Sequence, residues 1–525
     1  MADSSRETQP LLPPAEGSEP QGRHHQRARK VFLYALIALL FVAISIGLLI
    51  VLVKPDGKHS RHDKSLSRRL ETSAIFSHLE ELYAIAKKHN NSRSVTNGYM
   101  ASADYVQGLL LAQASGFCDI ETQEFKVPVW AELEEPELSS RGVGKGHWIH
   151  YQNKVDFQSF RNSGPSTRLL KQRVAGVEDY GCNPDDLKHV RGKVAVIEEG
   201  GPCELWDVAH HAEKAGAKAV LFYNSAGRRN LLWSRIRIVA WKEGDPQMQI
   251  PVFSITNSLG LTLIQSQDTA VLNINTVNSQ TVESTINVLC TTKEGDEDNT
   301  IVLGAHLDSV PEGPGMVDNG SGSMSLLEIA LVLARAKYPL KNKIVFGWWG
   351  AEEIGLLGSR HYVRELVKDK KKKKQVAMNM NFDMLASPNY VPFVHDGRTA
   401  PDELVSPSSK IDHLLIEYFD HEGEPYEYTD MIAGSDFLPF LLEGIPSGGL
   451  LTGANERKTM KQRTLFGGNA NSPLDPCYHK WCDTPENVNK HALKLMSQAA
   501  LYAIAKVAKA DNLRGWLANT NVTLH

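Results

Sequence analysis

The sequence predicts an α/β protein: a mixed, mostly parallel sheet flanked by helices, interrupted by an inserted domain and preceded by one membrane-spanning helix. Three observations carry that expectation. Apolar strand-like runs alternate with helix-forming runs between Thr300 and Asp383, the pattern that builds parallel sheets. A separate strand, turn, helix, strand pattern lies upstream, between Ala131 and about Ser284. Near the amino end, Val31–Val53 is a run of 23 residues without a charge.

Residues 1–30 are polar, with Pro, Ser and Arg, and should be disordered. Val31–Val53, flanked by Lys30 and Lys54, would form a helix about 34 Å long, enough to span a bilayer. A cleaved signal peptide has a shorter apolar core and small residues before its cleavage site; neither is evident, so this is read as a signal anchor. Residues 54–70 are a basic stalk. There Lys54, Lys58, Arg61, Lys64, Arg68 and Arg69 outnumber Arg23, Arg27, Arg29 and Lys30 on the other side, so flanking charge alone leaves the orientation open. Long folded domains translocate largely regardless of that charge. Six cysteines with plausible partners and the N-x-S/T sequons at Asn90 and Asn521 place the folded part on the lumenal or extracellular side, as a single-pass type II protein. Asn319 is also in a sequon, but beside Asp318 it is expected to stay unmodified.

The tail then faces the cytoplasm. It holds Glu7-Thr8-Gln9-Pro10-Leu11-Leu12, the pattern of an acidic dileucine signal read by a sorting adaptor. Glu7, Leu11 and Leu12 would direct the protein to endosomes, lysosomes or vacuoles, with the cell surface as the alternative and a plain disordered tail as the competing reading.

Residues 71–130 and 285–525 read as the two parts of the principal domain, with residues 131–284 inserted between them. At 525 residues two folded domains are expected. In the insert, GKVAVIEEGGPCELWDVAHHAEKAGAKAVLFYN reads strand, turn, helix, strand. In the second part, Thr300–Ser309 is a strand with a polar tip, Met324–Lys337 a helix free of Gly and Pro, Lys343–Gly350 a strand, His361–Val367 a helix and Val376–Phe382 a strand. In such a sheet ligands gather beyond the carboxyl ends of the strands. His306, Glu352, Glu353 and Asp383 all fall at that edge, Asp318 lies in the intervening Gly-rich loop, and His479 lies in a loop near the carboxyl terminus.

His306, Asp318, Glu353, Asp383 and His479 are two imidazoles and three carboxylates, a donor set that suits zinc. With one carboxylate bridging, it can hold two ions about 3.5 Å apart. Glu352 remains for general acid/base work. Asp308, two residues beyond His306 on an extended chain, points the same way and can orient its imidazole. Any one strand-end His or Asp is usually a capping or surface residue; their coincidence on successive strands is what argues for a site. His210 and His211 lie in a helix-like stretch, and His361, His395 and His413 read as ordinary surface or capping residues.

GAHLDSVPEGPGMVDNGSGSMSLLE, FGWWGAEEIGLLGSRHYV, NFDMLASPNY, SDFLPFLLEGIPSGGLLTGA and DPCYHKWCDT resemble, in order, the motifs of the co-catalytic dizinc aminopeptidases, of the vacuolar aminopeptidase Y and secreted bacterial leucine aminopeptidase type. The likeness covers about residues 71 to 510. It implies a zinc-exopeptidase fold and two Zn2+ ions, with Asp318 bridging, His306 and Asp383 completing one site, and Glu353 and His479 the other. It further implies Glu352 as general base and Tyr478 as donor to the tetrahedral oxyanion. The insert resembles a protease-associated domain, expected to overhang the cleft or to act as a passive lid. One departure stands out: Gly434, where bacterial relatives commonly have arginine, precedes Ser435-Asp436, which puts contacts to the substrate's end in doubt.

Cys477 and Cys482 bracket His479, and a disulfide closing that short loop would hold the ligand in position, as the resemblance also implies. Cys182 and Cys203 can pair within the insert, leaving Cys118 and Cys290, which could bridge two neighbouring strands. The expected activity is release of the first residue, apolar by family resemblance, from a peptide with a free amino terminus, by a monomer. A carboxypeptidase of the glutamate carboxypeptidase type ranks second, because only 46 residues follow His479, too few for its dimerisation domain. A noncatalytic receptor of the transferrin-receptor type ranks lower still, since such relatives lose ligands that this chain keeps. Net charge is −4 and the Lys368–Lys374 run lacks aromatic interleaving, so it reads as a solvated loop and nucleic acid is not an expected partner.

Overall fold

Fourteen strands form one continuous sheet in the computed structural model, which describes residues 66–67, 69–143, 146–224, 241, 244–431, 434–518 and 524. The expected tail, the span Val31–Val53, most of the stalk, the sorting residues Glu7, Leu11 and Leu12, and the sequon Asn521 lie outside the described residues. Among the described residues no helix is long and apolar enough to cross a membrane.

The strands are β1 (Cys118–Arg141), β2 (Ile149–His150), β3 (Phe157–Ser159), β4 (Thr167–Val177), β5 (Val194–Glu198), β6 (Ala219–Tyr223), β7 (Val252–Ile255), β8 (Val271–Thr292), β9 (Asp296–His306), β10 (Asn342–Trp349), β11 (Val376–Phe382), β12 (Phe393–Asp396), β13 (Glu427–Asp430) and β14 (Ser447–Leu451). One half of the sheet runs β13-β12-β14-β11-β9-β10-β8. Its centre, β14-β11-β9-β10, is parallel, so the carboxyl ends of these four strands share one edge.

Alternation along β9 explains the layering. Ile301, Leu303 and Ala305 join a core with the helices Thr72–Lys88, Tyr99–Ala114, Gly322–Arg335, Val405–Glu422 and Lys490–Lys509. Val302 points the other way, packing with Val345, Trp349, Tyr362 and Phe440 under helix Leu357–Lys368. A parallel sheet covered on both faces is the expected result of strand-helix alternation. Leu66 and Leu70, at the end of the segment read as stalk, are also buried in the first core.

The insert hangs on a two-stranded ribbon. β1 and β8 pair antiparallel from Cys118↔Thr292 to Arg141↔Val271, so positions 131 and 284 fall inside continuous strands rather than at breaks. One end of β8 pairs with β10 and the other with β4, carrying the sheet without interruption into β4-β5-β6-β7-β3. The predicted strand, helix, strand of the insert is β5, Leu205–Lys214 and β6, with His210 and His211 in the helix.

Two readings change. Lys370–Gln375 is a short helix rather than a loop, because the Asp369 side chain accepts the backbone N–H groups of Lys371 and Lys372 and caps it. His395 is not at the surface: it is 5% exposed on β12 and its ring packs 4.8 Å from that of Phe437. His361 stacks on Phe125, and His413 is exposed.

Candidate metal centre

Each parallel strand delivers its residue at the shared edge. His306 ends β9, Glu352 and Glu353 follow β10, and Asp383 follows β11. Asp318 comes from the turn Met316–Ser321 ahead of helix Gly322–Arg335, and His479 from the loop between Cys477 and Cys482. The five donors converge as two groups that share one residue. His306, Asp318 and Asp383 form the first; Asp318, Glu353 and His479 form the second. His306 Nε2 lies 3.2 Å from Asp318 Oδ1 and 3.3 Å from Asp383 Oδ1. His479 Nε2 lies 2.9 Å from Asp318 Oδ2 and 3.2 Å from Glu353 Oε2. One oxygen of Asp318 thus faces each imidazole.

The electrostatics of that arrangement favour positive charge at two points. Burial opposes charging both imidazoles, yet the carboxylates overcome it: Asp383 and Glu352 lead in raising His306 well above its ordinary value, and Glu353 and Asp318 raise His479 to about 9. Burial acts to raise Asp318 as well, but hydrogen bonds from His306 and His479 hold it well below the usual carboxylate range. Imidazole nitrogens facing two carboxylate oxygens each, one buried and one part-exposed, are the donor chemistry of a zinc site, and two such groups sharing a carboxylate fit a pair of ions.

The surroundings hold these donors rigidly. The Asp308 carboxylate stands 3.6 Å from His306 Nδ1, whose nearer contact is the Asp308 carbonyl at 3.2 Å. That carboxylate accepts the backbone N–H of Glu352 at 3.0 Å and of Glu353 at 3.2 Å, so Asp308 fixes the glutamate pair as well as facing the imidazole. Burial pushes the half-buried Glu352 well above the usual carboxylate range, with Glu353, Asp436 and Asp383 adding to the rise and His306 opposing it. Tyr478 stacks on the His479 ring, with centroids 3.7 Å apart.

Several participants were given no role from the sequence, although each lies within one of the five family-like motifs. Asn381 Nδ2 donates to Ser435 Oγ at 2.7 Å, and Ser435 Oγ donates to Asp383 Oδ2 at 2.6 Å. Asp436, which burial pushes up to about 7, accepts a hydrogen bond from Ser359 Oγ. Asp483 accepts the N–H of Val317 at 2.9 Å and of Asp318 at 3.1 Å, locking the Asp318 turn to the segment just after Cys482. The Ser-Asp pair and the residue next to Cys482 lay in quoted motifs and could have been weighed as supports.

The structure pairs Cys477 with Cys482, Cys182 with Cys203 and Cys118 with Cys290. Among the other expected positions, Asn90 is exposed. Asn319 is buried, with Nδ2 donating to the Phe382 carbonyl at 2.9 Å and Oδ1 accepting from Gly322 and Met384, so its amide is committed to the turn.

Comparison with known proteins gives a consistent result. The family model described as peptidase family M28 matches residues 287–504, and that of the PA domain matches residues 169–263. An aminopeptidase of Pseudomonas aeruginosa is 35% identical over 450 residues, covering 83% of this chain and 81% of that protein. Leucine aminopeptidase 2 of Trichophyton rubrum is 32% identical over 453 residues, covering 85% and 86%. Among solved structures, an aminopeptidase from Aneurinibacillus sp. strain AM-1 aligns with a TM-score of 0.65 at 20% identity over 85% of this chain and 96% of that one. A zinc aminopeptidase from Bacillus subtilis aligns with a TM-score of 0.56 at 25% identity over 83% and 95%.

Proposed function

Because the chain belongs to peptidase family M28 and carries a PA domain, we propose that this zinc metallo-aminopeptidase is membrane-anchored and removes apolar first residues from peptides with two zinc ions and Glu352 as general base. The observation that carries the reading is the shared carboxylate of Asp318, with one oxygen toward His306 and the other toward His479. His306 and Asp383 would hold one ion with Asp318, and Glu353 and His479 the other. Zinc in such a site lowers the pKa of water and polarises the scissile carbonyl.

The chain's own groups do the rest. Glu352, its backbone held by Asp308 and its carboxyl raised by burial, is matched to take a proton from the attacking water and return it to the leaving amine. Tyr478, stacked on His479, offers its O–H to the developing oxyanion. The ribbon carries the insert toward the site, where Arg161 pairs with Glu312 at 2.9 Å, in the loop between His306 and Asp318; this supports a role for the insert in limiting the substrate's length. The apolar preference rests on family resemblance. The span Val31–Val53, the sequons and the dileucine pattern support a type II protein of endosomes, lysosomes or vacuoles.

The test is an assay of the detergent-solubilised full chain on leucyl, glutamyl and amino-blocked peptides, with Glu352→Ala as control. Release of amino-terminal leucine should fall roughly 100- to 10,000-fold in the variant at equal zinc content. Cleavage from the carboxyl end would favour a carboxypeptidase, and inactivity of the zinc-loaded wild type would point to a receptor.

A further inference from the structure

Arg93 lies between helices Thr72–Lys88 and Tyr99–Ala114, and none of its side chain reaches solvent. Its Nε donates to the Pro314 carbonyl at 2.8 Å, its Nη2 to the Gly315 carbonyl at 2.6 Å and its Nη1 to the Leu307 carbonyl. Those carbonyls stand at the two ends of the loop that leaves His306 and returns to Asp318. Neighbouring atoms bind the same loop: Arg93 N–H donates to Ser309 Oγ at 2.9 Å, and Ser92 Oγ donates to the Val310 carbonyl at 2.9 Å. Asn91 Nδ2 reaches the Trp481 carbonyl at 3.4 Å, on the loop that carries His479.

A guanidinium is a planar fork of donors, so one group satisfying three carbonyls fixes the distance between them; a lysine ammonium has no such fork. Carbonyls do not neutralise a charge. Burial accordingly pulls Arg93 down to about 10, while Asp308, Asp483, Asp318 and Glu353 act to keep it charged. The loop also closes directly on the guanidinium. Gly315 has φ +67°, and a Cβ there would lie 2.4 Å from the Asp318 carbonyl oxygen and 3.0 Å from Arg93 Nη2.

We propose that Arg93 is a positioning residue for metal binding, which holds both ends of the Leu307–Gly315 loop on one guanidinium and thereby sets the placement of His306 against Asp318. It acts through the ligands and touches neither ion nor substrate. The inference rests on the zinc reading of the five-residue set.

The test compares full-length wild type, Arg93→Lys and Arg93→Met in detergent. Zinc affinity is read by competition with a chromophoric chelator, and melting is followed with and without zinc. Affinity should fall about tenfold or more in Arg93→Lys and at least as far in Arg93→Met, the size expected when a group orienting a ligand is lost. KM at saturating zinc should hold. Equal losses of melting temperature in both forms with wild-type zinc affinity would make the role merely structural and overturn the proposal. Should neither variant fold, Arg93→Gln keeps a neutral amide with two N–H donors but not the fork: a roughly tenfold loss of affinity supports the proposal, and wild-type affinity overturns it. Absence of saturable zinc uptake by the wild type would overturn the zinc reading, and this inference with it.

Discussion

His395 is buried against Phe437, and among the described residues neither ring nitrogen has a hydrogen-bond partner. Burial holds its pKa at about 4, below the ordinary 6.5. As pH falls the unfolded chain takes up this proton first, so the stability is complete above pH 6.5 and is lost as pH falls from there towards about 4. By pH 5 the loss should be roughly 2 kcal/mol, and His395→Leu should narrow the difference in melting temperature between pH 7 and pH 5. An unchanged difference would mean the imidazole finds a partner when charged. The misreading of His395 has a physical source: its short strand shows no clear alternation, and the Phe437 ring that covers it comes from a distant segment. His306, Glu353 and Asp383 were legible because strand ends and chemistry coincide there, whereas Asp318 and His479 lie in loops and took their roles from the family resemblance. Arg93 was not, since its partners are backbone carbonyls more than 200 positions away, which leave no side-chain pattern.

Among the elements, the central strands and their helices could be read within a few residues; Val376–Phe382 is a strand as expected, and the predicted Met324–Lys337 is the helix Gly322–Arg335. The ribbon was less legible, because β1 and β8 alternate too weakly to reveal strands of 24 and 22 residues. Cys118–Cys290 clasps the ribbon where it leaves the central sheet, next to the pairing of β8 with β10. Cys477–Cys482 does local work. Closing so short a loop contributes about 2 kcal/mol by chain entropy, all of it at the segment holding Tyr478 and His479. Replacing both cysteines by serine should therefore leave the fold intact but weaken the His479 side first. On the proposed two-zinc reading, zinc analysis after dialysis should find about one ion per chain in the variant and two in the wild type. Retention of both would mean that Asp483 and its hydrogen bonds suffice to hold the loop.

At the scale of the whole molecule, the folded part begins earlier than composition suggested. Leu66 and Leu70 are core residues, so a soluble form started at Ser73 would lose packing, and one retaining them should melt several degrees higher. The basic run before them read as stalk because charge was the only signal there. The tail carries its own prediction: replacing Leu11 and Leu12 by alanine should move the protein from internal membranes towards the cell surface, and unchanged localisation on imaging would sink the sorting role. One further consequence concerns timing. Ser92, the hydroxyl residue of the Asn90 sequon, is buried with its Oγ donated to the Val310 carbonyl. On the proposed lumenal placement, an oligosaccharide would be attached at Asn90 only while that hydroxyl is still accessible, so glycan transfer and assembly of the metal loop would be rivals in a race. The fraction of chains bearing sugar at Asn90 would then serve as a clock for how quickly the amino-terminal helices dock during synthesis.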